Sequence, residues 1–190
     1  MHTISNAQIK TIRSLQQKKY RERYAQFVVE GTKSVLEFIQ SDYKCRGVFA
    51  KEEWYADYLP KITSFDIDLH QANNKQLSQI SALKNPQQVL AVFEIDKSQQ
   101  IDTSASLILV LDDIRDPGNL GTIIRTADWF GLEQIVCSTT CADCYNPKVI
   151  QASMGSMSRM QLIYTDLQDF VQQNKDFDLV LADLDGDNVN

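Results

Sequence analysis

The stretch Asp112-Asp113-Ile114-Arg115-Asp116-Pro117-Gly118-Asn119-Leu120-Gly121-Thr122-Ile123-Ile124-Arg125-Thr126-Ala127-Asp128-Trp129-Phe130-Gly131 decides how this chain is read. It follows LILVL (107–111), a continuous apolar run of the kind a strand buried on both faces shows. A Pro-Gly-Asn turn then feeds a helix expected over 119–130. Leu120, Ile123, Ile124, Ala127 and Phe130 face inward at helical spacing, and Gly131 sits where a left-handed terminal residue belongs. Ligands of α/β sheets bind at the carboxyl ends of strands, which is where this loop falls. The same spacing sets Gly118, Thr122, Arg125 and Trp129 on the opposite face. Arg125 is thus a cation beside an aromatic on the non-core side. The plain alternative is a surface arginine paired with Asp128 or Asp112.

Outward from this stretch the pattern is α/β throughout. A helix is expected from Ser5 or Asn6 to Lys19, with Ile9, Ile12 and Leu15 at helical spacing. Strands are expected at 26–30, 46–50, 62–67 and 89–94, with helices at 34–40, 52–59 and 75–81. Such alternation predicts a mostly parallel sheet. Beyond the decisive stretch come strands at 134–138, 162–164 and 179–183, and helices at 146–153 and 166–173. Residues 97–105 are polar apart from Ile101 and Ala105 and form the linker candidate between domains 1–96 and 106–190.

Charge divides at the same place. The 190 residues carry a net −6, but residues 1–100 hold 14 Lys and Arg against 11 Asp and Glu, while residues 101–190 hold 5 against 14. Lys10, Arg13, Lys18, Lys19, Arg21 and Arg23 lie close together, opposed only by Glu22. They could grip a phosphate backbone or form a solvated helix face. Tyr20 and Tyr24, interleaved, suit base stacking. An apolar share of 43% excludes wholesale disorder. No run suits a membrane helix, and no secretory leader is evident, so a cytoplasmic protein is expected. Four cysteines are too few for a disulfide framework.

Other chemistries fit less well. Gly118 and Gly121 give only G-x-x-G, without a dinucleotide or Walker pattern. Cys137, Cys141 and Cys144 have an iron–sulfur-like spacing, but the barrel that accompanies it has no room, and His2 and His70 are too remote to complete a zinc site. No metal is therefore expected. Asp112, Asp113 and Asp116 read as helix-capping carboxylates rather than an acid–base pair. A Ser-His-Asp hydrolase lacks its nucleophile motif.

The DPGNLGTIIRTADWFG segment (116–131) resembles the first signature of the SpoU–TrmH family of RNA ribose 2′-O-methyltransferases, members of the knotted SPOUT superfamily. NPKVIQASMGSMSRM (146–160) resembles the segment after it, and residues 14–37 and 86–94 resemble the family's N-terminal substrate-binding domain. The resemblance implies a small ribosomal-protein-like α/β RNA-binding domain, then a SPOUT methyltransferase domain with a parallel sheet. It implies S-adenosylmethionine as methyl donor, structured RNA as substrate, with ribosomal favoured over transfer RNA, and a homodimer. Asn119 and Arg125 take the motif's active-site positions. Leu184, Asp185 and Gly186 resemble the loop whose backbone lines the adenosyl group. Gln151 stands where relatives often carry Arg, and Gln161 where many carry Pro. The family's later signatures would follow residue 190, so a piece of a longer enzyme is expected, with its cofactor site and knot incomplete. An RNA-binding module without activity is the competing expectation; the presence of Asn119 and Arg125 favours the enzyme.

Overall fold

In the computed structural model, which describes residues 2–96 and 100–182, the chain builds two sheets. The first contains β1 (His2–Thr3), β2 (Gln26–Glu30), β3 (Cys45–Ala50), β4 (Leu69–Gln71) and β5 (Val89–Glu94), in the order β1-β4-β3-β5-β2. It is mixed rather than mostly parallel. β5 runs antiparallel to both β2 and β3, while β3–β4 and β1–β4 are parallel. The alternation did signal the parallel relation of β2 and β3, but β5 inserts between them. The strand expected at 62–67 instead forms at β4. Ile62 is buried after a short 3₁₀ turn (Leu59–Lys61), and pairing with β3 begins only at Leu69.

Side chains alternate across this sheet, apart from a register shift between Cys45 and Gly47 of β3. Phe27, Val29, Val48, Ala50, Val89, Ala91 and Phe93 face one way; Val28, Phe49, Leu90 and Val92 face the other. The second face is closed by Ile12 of α1 (Asn6–Ser14) and by Leu77 and Ile80 of α5 (Asn74–Ile80). Both helices start with a capping box, Ser5 with Gln8 and Asn73 with Gln76. The first face takes Val35, Phe38 and Ile39 of α3 (Thr32–Ile39) and Trp54 and Tyr55 of α4 (Glu52–Tyr58).

The second sheet is parallel, in the order β6 (Leu109–Leu111), β7 (Gln134–Ser138), β8 (Gln161–Thr165). α6 (Pro117–Trp129) connects β6 to β7; α7 (Pro147–Ala152) lies between β7 and β8; α8 (Leu167–Gln173) follows. α6 and α7 approach closely at Gly121, where a Cβ would stand 2.5 Å from that of Ala152. Phe130, expected inward, is 75% exposed. α6 stops at Trp129, and Gly131 at φ 76° swings the chain so that Leu132 packs on the core instead. No strand forms over 179–182, where Leu179, Val180 and Leu181 are exposed.

The long first helix expected to Lys19 is broken in two, α1 and α2 (Lys18–Tyr24). Arg21 explains the break. It is 2% exposed, and its Nη1 donates to the Leu15 carbonyl at 2.8 Å, an oxygen left without a helical partner. Its Nε and Nη2 donate to Asp143 Oδ2 at 3.0 and 2.5 Å. Asp143 belongs to the second half, so this pair joins the two sheets. Phe27 meets Tyr145 beside it, with ring centroids 4.7 Å apart, and one apolar core runs through both halves. Removing one partner of such a pair strands the other charge. Arg21→Ala should lose about 3 kcal/mol of unfolding free energy, measured by denaturant melts, whereas Arg13→Ala on the exposed surface should change it little. Equal effects would mean that the pair contributes no more than a surface charge.

Candidate active site and nucleic-acid interface

Asp116 starts α6: its Oδ1 accepts the Asn119 N–H at 2.8 Å, and Pro117 follows where no amide donor is needed. The loop before it is pinned to the end of β7. Asp113 holds φ 56°, a left-handed value uncommon outside glycine. Its N–H donates to Ser138 Oγ at 2.9 Å and its carboxylate accepts Arg115 Nε at 2.7 Å. Bonding to Arg115, helped by Thr140, holds the Asp113 carboxyl below its usual range. Ile114 donates to Cys141 Sγ at 3.3 Å and accepts from the Ala142 N–H at 2.8 Å. The Cys141 thiol in turn donates to the Leu111 carbonyl at 3.4 Å. Cys141 is thus part of the loop's anchorage. Burial raises the Cys137 thiol to about 12, and Cys144 is raised for the same reason.

Gly118, Thr122, Arg125 and Trp129 lie exposed along one face of α6, as the spacing predicted. Asp128 is not available to Arg125. Arg159 takes it with two bonds, Nε at 3.1 Å and Nη2 at 2.6 Å, and reaches Glu37 of α3 with Nη1 at 3.0 Å. Arg125 makes no ion pair among the described residues. It opens on a cleft of about 550 Å³ lined also by Lys33, Trp129, Met154 and Arg159. Asn119 sits in the first turn of α6, exposed, with about 9 Å of axial rise and ~120° of rotation between it and Arg125. The two therefore do not share one face.

Of the basic set, Lys10 and Arg13 on α1 and Lys18, Lys19 and Arg23 on α2 are exposed. Arg21 is the correction: committed to Leu15 and Asp143, it presents no guanidinium to a ligand. Tyr20 and Tyr24 stack at 6.2 Å between ring centroids. Lys19 lies 4.9 Å over the first and Arg23 5.6 Å over the second, which makes a strip of alternating cations and rings. Leu184, Asp185 and Gly186 lie outside the described residues. Gln151 is exposed on α7. Gln161 uses its N–H to bond the Glu133 carbonyl at 2.8 Å, a bond that a proline there would forgo.

Sequence reasoning missed Lys33 and Arg159 as neighbours of Arg125. They are remote in the chain, and no local pattern joins them. It also passed over a smaller cleft, about 280 Å³, between α1 and the first sheet. There His70 is buried and stacked on Phe49 at 4.8 Å, with Gln8 against its Nε2 at 3.2 Å. Burial lowers its pKa. Among the described residues no helix is long and apolar enough to cross a membrane.

Two family models match the chain. The SpoU rRNA Methylase family model covers residues 106–190, and the MRM3-like substrate binding domain model covers 6–91. A Bacillus subtilis protein, 23S rRNA (guanosine(2553)-2′-O)-methyltransferase RlmP, is 28% identical over 92% of this chain and 68% of its own length. The structure of a putative RNA methyltransferase of the TrmH family from Porphyromonas gingivalis superposes with a TM-score of 0.82 at 35% identity, covering 92% of this chain and 68% of that one. An AdoMet-bound rRNA methyltransferase from Sinorhizobium meliloti superposes with a TM-score of 0.78 at 30% identity, covering 92% and 67%. The chain thus spans about two thirds of each of these three relatives.

Asp128 gives a pH-dependent prediction. Bonding to Arg159 depresses its carboxyl below the ordinary 3.8. A depressed carboxylate contributes stability that is present above the unfolded value and lost as pH falls through the folded one. The melting temperature should therefore fall more steeply in the parent than in Asp128→Asn below 3.8, and the two curves should converge at strong acid. Parallel curves in thermal melts across that range would deny the ion pair any role.

Proposed function

The chain belongs to the SpoU–TrmH family of RNA methyltransferases, and from that premise we propose that it transfers a methyl group to a ribose 2′-hydroxyl of ribosomal RNA. The observation that carries this reading is the freedom of Arg125, exposed on the motif helix because Arg159 occupies Asp128. A ribose hydroxyl is a weak nucleophile until its proton leaves. A guanidinium at its oxygen stabilises the developing charge electrostatically. A guanidinium is a poor proton acceptor, so Arg125 orients the ribose and holds the oxyanion rather than taking the proton. Asn119, on the first turn of the same helix, fixes the loop and contacts the RNA.

S-adenosylmethionine supplies an electrophilic methyl group on a sulfonium. Neither cleft described above lies at the carboxyl edge of β6–β8, where an α/β sheet holds its ligand. The segment assigned to it, Leu184 to Gly186, lies outside the described residues. Arg125 lies about 12 Å down α6 from that edge. This separation supports a homodimer in which a second copy brings its own edge near Arg125. We assign residues 1–96 to RNA binding, 97–105 to the linker and 106–190 to methyl transfer, a division that the two matched spans support. A cytoplasmic location accords with a ribosomal substrate.

Lys10, Arg13, Lys18, Lys19 and Arg23 hold the RNA backbone in this reading. Replacing Lys10 and Lys19 by Ala should weaken RNA binding and lower the salt slope by ~1.5; an unchanged slope would remove them from the interface. The reaction is tested in a protein carrying this chain at the length of its relatives, with labelled S-adenosylmethionine and separated ribosomal and transfer RNA, digested with alkali. A labelled, alkali-resistant dinucleotide from ribosomal RNA, reduced by ~10²-fold or more in Arg125→Ala, is expected. Label on bases would overturn the ribose assignment. No label, with RNA binding intact, would favour a binding module.

A further inference from the structure

The cleft of about 280 Å³ between α1 and the first sheet takes no part in the chemistry assigned to Arg125. It lies where β2, β3 and β4 begin, lined there by Gln26, Arg46 and Asp68, whereas Lys33 of the Arg125 cleft follows the far end of β2. The two clefts thus sit at opposite edges of one sheet. The walls are apolar: Ile12 of α1 and Phe49 and Val92 of the sheet, each at most 5% exposed. A glycine keeps the space open. Gly47 follows the register shift in β3, and a Cβ there would stand 3.4 Å from the Phe49 ring, on the cleft side. Such irregularities recur next to active sites, where they re-aim side chains.

His70 closes the back of the cleft. Its neighbours fix its proton. The Ser5 N–H donates to Gln8 Oε1 at 2.9 Å, so the amide turns its NH2 toward His70 Nε2, 3.2 Å away. Nε2 therefore accepts. Burial keeps the ring neutral, and its one proton sits on Nδ1. That nitrogen is buried and has no hydrogen-bond partner among the described residues. Asp68 stands two residues earlier on the same face, about 6.6 Å along the strand. It is exposed at the mouth and joins no ion pair among the described residues. Its carboxylate repels an anion, and Arg46 is already paired with Glu94. Among the described residues no group of three His, Cys, Asp or Glu could hold a metal ion.

We propose that this cleft receives one unpaired guanine base, with His70 Nδ1–H donating to O6 and the Asp68 carboxylate accepting from N1–H and the 2-amino group. Of the four RNA bases, only guanine sets an acceptor beside two adjacent N–H donors on one edge. A base is neutral and flat, which suits apolar walls and a carboxylate at the mouth. The volume lies just below the ~300–1,000 Å³ of sites that bury larger ligands, and fits a base with its sugar and phosphate left outside. The proposal rests on the reading of the chain as an RNA-binding protein for the source of the base. α1, which roofs the cleft, carries Lys10 and Arg13 exposed. Guanine in an unpaired stretch would then be held away from Arg125 and would set which RNA the first half accepts.

The full chain is titrated calorimetrically with the monophosphates of guanosine, inosine and cytidine, and its imidazoles are followed by proton–nitrogen correlation spectra. Guanosine monophosphate should bind. Inosine monophosphate, which lacks the 2-amino group, should bind about tenfold more weakly, and cytidine monophosphate should not compete. His70 should carry its proton on Nδ1, and that signal should move as guanosine monophosphate is added. Gly47→Val should fill the cleft and abolish binding. The Cβ contacts at 3.4 Å are ordinary packing distances, so this variant should keep its circular dichroism spectrum. Asp68→Ala, on the exposed rim, tests the same site without touching the core and should weaken binding about tenfold. Equal affinity for guanosine and cytidine monophosphates, a His70 proton on Nε2, or unchanged affinity in Asp68→Ala would overturn the proposal. Displacement of the mononucleotide by an oligoribonucleotide with one unpaired guanosine, and not by its duplex, assigns the base to RNA. Failure of both to displace it assigns the cleft to a free guanine nucleotide. No methyl donor enters the titration. Absent methyl transfer with intact guanosine binding would refute the reaction and leave the cleft standing; methyl transfer without guanosine binding would do the reverse.

Discussion

The fold depends on one guanidinium. Arg21, itself buried, ends the first helix by bonding its terminal carbonyl, turns the chain into a second helix, and fixes the partly buried Asp143 of the other half. Such a pair adds little net energy when both partners are present, because desolvation offsets attraction. Its value is geometric. With Arg21 in place, Phe27 and Tyr145 meet and a single core covers one face of the first sheet and the inner side of the second. The spatial relation between the RNA-facing helices and the motif helix is then set by packing.

The motif helix is held with comparable firmness at its beginning. Asp116 caps it, Asp113 is bent into a left-handed conformation, and Ser138 and Cys141 bind the loop from the next strand. What projects from that rigid base is an open face. The division of labour is physical: Ser138 and Cys141 hold the loop's backbone and Asp116 caps the helix, while Arg125 and Trp129 have no inward partner among the described residues.

Much of this was legible in the chain. The run LILVL gave a strand but not its burial: only Leu109–Leu111 pair, at the end of the order β6-β7-β8, Leu111 alone is buried and Leu107 is 67% exposed. The helix was legible but begins at Pro117, two residues before the expected Asn119, and helical spacing put Arg125 and Trp129 together on the outer face. Other features depended on partners too remote to read locally. The antiparallel insertion of β5 follows from strand pairing across the whole first half, which alternation of elements does not encode. Phe130 matched the inward stripe, but the left-handed Gly131 ended the helical geometry on which that stripe relied. Arg21 looked like its neighbours Lys19 and Arg23, since a sequence window does not contain Asp143. Lys33 and Arg159 were hidden in the same way.

The freedom of Arg125 has an evolutionary corollary. It exists because a different arginine occupies the nearest carboxylate on the same helix, anchored from the far side by Glu37. Positions 37, 125, 128 and 159 therefore form an epistatic set drawn from both halves of the chain. A drift at 159 that spared every residue touching RNA would still release Asp128 to its neighbour one turn away. Within such a lineage, loss of the acid at 128 would become tolerable after loss of the base at 159 and harmful before it.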